Sequence, residues 1–157
     1  MDEWQQYQYE QAKRWLEHIA KLKHAVSASR NMMDLFENLL DSAKGIDYTV
    51  EHVSGGQYSD RIAETIIKLD EARSSWAANV VAYADEATDA AMRIKQLEDA
   101  TEMQALLLHY VDGITWERVC VQMDYSWDGI MSLRKRAVTH AYDIMPLEWR
   151  DPLEPAI

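Results

Sequence analysis

From Ile62 to Leu97 the chain repeats a single register without a break: Ile62, Ile66, Leu69, Arg73, Trp76, Val80, Tyr83, Ala87, Ala90, Ile94 and Leu97, with Arg73 the one charged exception. Every step is three or four residues, so these side chains fall on one stripe of an α-helix. Proline, the residue that would interrupt such a rod, is confined to Pro146, Pro152 and Pro155. The pattern predicts a helix over 60–98, started by Ser59 or Asp60 as cap and about 60 Å long at about 1.5 Å per residue. Ala77, Ala78, Ala82, Ala84, Ala87, Ala90 and Ala91 let a second helix approach closely. A soluble chain does not leave an apolar strip of this length open. The rod therefore folds back as a helical hairpin or pairs with a second copy, and homo-oligomerisation through 60–98 is the expected association. The spacing does not choose between hairpin and dimer.

The N-terminal stretch follows the same logic. Trp15, Ile19, Leu22, Val26, Met33, Phe36 and Leu40 recur at helical spacing, while Ser27, Ser29 and Asn31 weaken the middle and predict a break into two helices. Residues 45–60, with Gly45, Gly55 and Gly56 and no sustained period, predict a loop. The fold class is all-α: a long helical hairpin or coiled-coil region over 1–100, a three-helix helix-turn-helix domain over 101–145, and a tail over 146–157, expected to be mobile after Trp149, where Pro152 and Pro155 prevent regular helix.

The C-terminal segment carries the functional argument. Met103, Leu106, Leu107 and Tyr110 give a first helix its buried face, Val119, Cys120 and Met123 a second, and Ile130, Leu133, Ala137 and Ala141 a third. Gly113 supplies a left-handed turn between the first two, Thr115 caps the second and Ser126 caps the third. Packing the third helix through Ile130 and Leu133 turns Trp127, Asp128, Met131, Ser132 and Lys135 outward, where a recognition helix meets base edges in the major groove. Arg118, Arg134, Lys135 and Arg136 are the candidate phosphate contacts. Four such contacts predict a log-affinity slope of about −3 to −4 against log salt.

Charge limits this reading. The 157 residues carry a net −11, which repels a polyanion. Residues 1–100 hold 11 Lys and Arg against 18 Asp and Glu, whereas 113–141 hold four (Arg118, Arg134, Lys135, Arg136) against three (Glu117, Asp124, Asp128), so duplex contact depends on a local patch.

Other function classes find little support. There is no Gly-rich phosphate loop, no serine in a Gly-flanked turn, and no Cys-His context around the single cysteine, Cys120, so an enzyme is not expected. His18, His24, His52, His109 and His140 form no metal-binding pattern, and the Glu-x-x-His pairs of a di-metal bundle are missing, so no metal or cofactor is expected. No run approaches the roughly 18 apolar residues of a membrane span, and Asp2 and Glu3 replace the basic start of a secretory leader. A cytoplasmic protein without a membrane partner follows.

The string HYVDGITWERVCVQMDYSWDGIMSLRKRAV resembles region four of sigma factors and, more closely, phage transcriptional regulators of the RinA and ArpU type. The matching positions are Tyr110, Gly113, Trp116, Glu117, Met123, Tyr125, Ser126, Leu133 and Ala137. The segment IAETIIKLDEARSSW, with its Gly-bearing loop before it, is similar to a domain of unassigned function in phages and integrated mobile elements, so the likeness extends over about residues 27–145. It implies a DNA-binding regulator of phage or prophage transcription working beside RNA polymerase. Asp128 and Ser132 depart from it, standing where such proteins place basic residues; Asp128 suits the helix dipole but opposes phosphate. Two other readings stand beside this one: a module docking on RNA polymerase or a sigma factor through Trp127 and Met131, and a phage packaging subunit of the small-terminase kind.

Overall fold

The computed structural model describes residues 1–44 and 55–152. It is all-helical over these residues: α1 (Glu3–Lys44), α2 (Gly55–Ile94), α3 (Ala100–Leu106) running on into a wider π turn (Leu107–Val111), α4 (Trp116–Met123), α5 (Trp127–Ala141) and a short 3-10 turn (Leu147–Trp149). No helix among the described residues is long and apolar enough to cross a membrane.

Two expectations about the long helices are corrected. α1 runs unbroken through Ser27, Ser29 and Asn31, because Ser29 turns its hydroxyl back onto the carbonyls of Ala25 (2.8 Å) and Val26 (3.0 Å) and so spends its polarity inside the helix. α2 begins at Gly55, ahead of Ser59 and Asp60, and ends at Ile94, where Asp99 restarts the chain by capping α3 through the amides of Thr101 and Glu102. Of the loop expected over 45–60, residues 45–54 lie outside the described residues.

The chain divides into two compact units, and not at residue 100. One holds residues 25–82; the other joins 1–24 to 83–157. In the 25–82 unit, α1 and α2 pair antiparallel: Asn79 donates to the Ser29 hydroxyl (3.2 Å), Arg73 reaches Glu37 (3.5 Å), and the Tyr58 hydroxyl donates to the Ala43 carbonyl (2.5 Å). Met33, Leu69 and Ala72 are buried between them, with Phe36, Leu40 and Trp76 packed around. Here the chain's own first helix buries Leu69 of the seam, while Ile66 stays 45% exposed. Arg73, the polar exception, lies exposed and pairs with Glu37 and Asp70.

The other unit is built on Ala12, Trp15, Leu16 and Ile19 of α1 and Ala87, Ala90 and Ile94 of α2, packed with Ala105, Leu106, Tyr110, Trp116, Val119, Ile130, Leu133, Ala137 and Val138. The boundary at 100 fails because the three short helices do not own a complete core; the first turns of α1 and the last of α2 supply part of it. The tail is also corrected as far as it is described. Trp149 lies against the His18 ring (4.8 Å between centroids), Arg150 sits over the Tyr142 ring and donates to its carbonyl, and Asp151 accepts from Gln11 (3.0 Å) and Arg14 (3.0 Å). These bonds hold the Asp151 carboxyl below its ordinary range, with Arg14 the main cause. The last five residues, 153–157, lie outside the described residues.

Candidate nucleic-acid interface

Three backbone devices set the geometry of the last helices. Gly113 takes φ +76, the left-handed conformation that ends the π turn, and Ile114 N–H then bonds back to the Leu108 carbonyl (3.0 Å). Thr115, in an extended conformation, caps α4 by accepting from the Arg118 amide (3.4 Å), and Ser126 caps α5 by accepting from the Gly129 amide (3.0 Å). Between them Asp124 is left-handed (φ 57), letting the Tyr125 amide return to the Cys120 carbonyl (3.0 Å). Asp tolerates this region better than most residues, which is the one signal that could have marked the turn in advance.

Gly113→Ala should expose the demand for that conformation. A side chain at positive φ costs roughly 1–2 kcal/mol, and the added Cβ would meet Lys23 Cγ at 3.1 Å, a flexible stem that can yield. The expected outcome is a drop in the thermal midpoint of a few degrees, read by circular dichroism, with no change in the folded spectrum.

Along α5 the burial alternates as a helix on a core requires. Ile130, Leu133, Ala137, Val138 and Ala141 are buried. Trp127 is 49% exposed, and Asp128, Ser132, Lys135 and Arg136 are exposed beside it. Of the five side chains expected to face outward, Met131 alone is half-buried and packed against the core.

Arg134, expected at a phosphate, is held elsewhere. Its guanidinium lies over the Trp116 ring, 5.5 Å from the centroid, and its Nε is buried without a hydrogen-bond partner. It stands beside Tyr110, whose hydroxyl is pushed up to about 12 by burial, with Arg134 acting in the opposite direction. The cation thus belongs to the packing around Trp116, which also stacks on His109 at 4.2 Å and meets Tyr110 edge-on. That leaves Arg118, Lys135 and Arg136 as exposed cations on α4 and α5, against the exposed carboxylates Glu117, Asp124 and Asp128. Val121 is 82% exposed on the outer side of α4.

The sequence reading missed one polar pair in this unit. Glu102 is 3% exposed, and its carboxylate meets Nδ1 of the exposed His140 at 2.7 Å. The pair lines a cleft of about 440 Å³ together with Leu97, Glu98, Asp99, Asp143 and Ile144. Glu102 sits between the apolar positions of α3, and only its neighbours in space distinguish it from a solvent-facing glutamate.

No protein-family model matches this chain, and no curated protein or solved structure does either.

Proposed function

We propose that this chain binds double-stranded DNA through α5 and regulates transcription of phage or prophage genes. The observation that carries the proposal is the open face of α5: Trp127, Asp128, Ser132 and Lys135 stand clear of the core on a helix presented by a tight left-handed turn and a serine cap. A helix so mounted enters a major groove with its first two turns toward the bases. Lys135 and Arg136, with Arg118 on α4, hold the backbone in this reading, while Arg134 keeps Trp116 in place. With three phosphate contacts the log-affinity slope against log salt should be about −2.7.

Selection of bound sequences from a random duplex pool tests the proposal, followed by a salt titration on the enriched site. A common motif with a slope near −3 supports it. An unenriched pool counts against it.

A second reading, docking on RNA polymerase or a sigma factor, draws on Val121 and Trp127, two exposed apolar side chains beside Glu117, Asp124 and Asp128. Apolar anchors in a polar rim are the usual make-up of a protein contact. Retention on purified polymerase, without any shift of DNA at low salt, would favour it.

A further inference from the structure

Within the 25–82 unit, α1 carries a second apolar register beside the one that meets α2. Ala25, Ala28, Met32, Leu35 and Leu39 recur in steps of three and four, so they share one stripe of the helix. The stripe lies roughly a quarter-turn round from Ser29, Met33 and Leu40, the positions turned toward α2. Met32, Leu35 and Leu39 each keep half of their surface in water, and Ala28 is exposed beside them. The charged residues of this stretch, Arg30, Asp34, Glu37 and Asp41, fall on the opposite flank, where Arg30 pairs with Asp34 and Glu37 with Arg73. In a chain of net −11 the stripe and its borders, Ser29, Asn31 and Asn38, are uncharged. On the same side Asn79 of α2 reaches the Ala25 carbonyl (3.4 Å) and the Ser29 hydroxyl (3.2 Å), and α2 continues the face with the short, exposed side chains Ser75 and Ala82.

The core beneath this face is thin. Among the described residues it consists of Met33, Leu69 and Ala72, with Phe36, Leu40 and Trp76 partly buried around them. Two helices bury little apolar surface by themselves, and helical bundles complete theirs with a third or fourth helix.

We infer that a second copy of this chain supplies those helices: α1 packs antiparallel on α1 of the other copy about a two-fold axis near residue 30, and two 25–82 hairpins make a four-helix bundle. Shape, charge and area each favour a like partner. The stripe has its small side chains at one end and its large ones at the other. An antiparallel copy therefore sets Ala25 against Leu35 and Ala28 against Met32, small against large in both layers, as close packing requires. A parallel copy would set leucine on leucine and alanine on alanine, crowding one end and leaving a gap at the other. A neutral stripe repels no second neutral stripe and offers a charged partner nothing to pair with. Asn31, exposed near the axis, bears an amide that both donates and accepts and so pairs with its own kind across a two-fold. Residues 25–42 span about 26 Å, and two helices side by side present a face about 20 Å wide. Each copy thus contributes about 500 Å², and the total of about 1,000 Å² reaches the lower bound of a specific interface.

The association runs through α1 and not along the 60–98 seam, and it does not depend on DNA binding. Its test is the solution mass of the full chain across a dilution series, for wild type and for the double variant Met32→Glu, Leu35→Glu. Disulfide cross-linking of Asn31→Cys and of Leu39→Cys, each with Cys120→Ala, accompanies it. Wild type is expected at the mass of two chains and the double variant at the mass of one, with an unchanged helical spectrum because both side chains are exposed. Oxidation should link Asn31→Cys, at the axis, and leave Leu39→Cys unlinked, since its two copies stand about 27 Å apart. A wild type that stays at one chain throughout overturns the inference, and so does a double variant that remains paired. A pair in which Leu39→Cys links, or Asn31→Cys does not, overturns the antiparallel packing of α1. If the double variant does not fold, the cross-links still decide. A single chain that captures RNA polymerase through this stripe gives the face to another partner and overturns the pair. Two-chain mass with no duplex selected removes the proposed function and leaves the bundle standing.

Discussion

Trp15→Ala is expected to cost about 3–5 kcal/mol, the usual penalty for emptying a large aromatic site in a packed core. Trp15 is 1% exposed and belongs to the cluster that includes Leu106, Tyr110, Val119, Ile130 and Leu133, so the cavity opens directly beneath the helix-turn-helix. Against a total stability of about 5–15 kcal/mol this is a large fraction. For a chain of this size the thermal midpoint should fall by about 10 °C. Urea unfolding followed by circular dichroism reads the effect. The same argument predicts that residues 101–145 made alone do not fold, because Trp15, Leu16, Ile19, Ala87, Ala90 and Ile94 would be missing from their core. A loss below about 1 kcal/mol would mean that the first turns of α1 are dispensable to the short helices.

The second large effect concerns the surface. Replacing Lys135 and Arg136 together by Glu should lower affinity for the selected duplex about a hundredfold at about 0.1 M salt, since each phosphate contact contributes roughly 0.9 of a decade per decade of salt. The slope should shrink from about −2.7 to about −0.9, with Arg118 left alone. Both side chains are exposed, so the folded spectrum and thermal midpoint should change little. Arg134→Glu makes the contrast: it leaves Trp116 without its overlying guanidinium and places a carboxylate beside Tyr110, so it should reduce stability as well as binding. An unchanged affinity in the Lys135, Arg136 double variant would remove α5 as the DNA-facing helix.

How far the interface was legible depends on how local each signal is. Gly113, Thr115 and Ser126 act within four residues of themselves, and their types state the conformation they adopt. The exposure of Trp127, Asp128, Ser132 and Lys135 follows from helical period once Ile130 and Leu133 are taken as buried, and this too is a short-range inference. Arg134 defeated the reading because a basic residue in a run of three looks solvated; its partner, Trp116, lies 18 positions earlier and on another helix. Glu102 was hidden for the same reason, its buried carboxylate answered by His140, 38 residues later. The serines of α1 misled in the other direction, since a hydroxyl that competes with the backbone in general can also bond a carbonyl one turn back and leave the helix intact.

By itself the sequence determined the all-helical class, the register of the long apolar seam, and the caps and turn that space the last helices, because each rests on periodicity or on a residue's own backbone preference. Only the tertiary structure decided that α1 pairs with α2 within 25–82, that the ends of both long helices complete the core beneath the helix-turn-helix, and that Arg134 is drawn from the surface to an indole. Those outcomes depend on which apolar face finds which partner. Burial is a property of pairs of surfaces, and a pattern along one chain specifies the face without naming what will cover it.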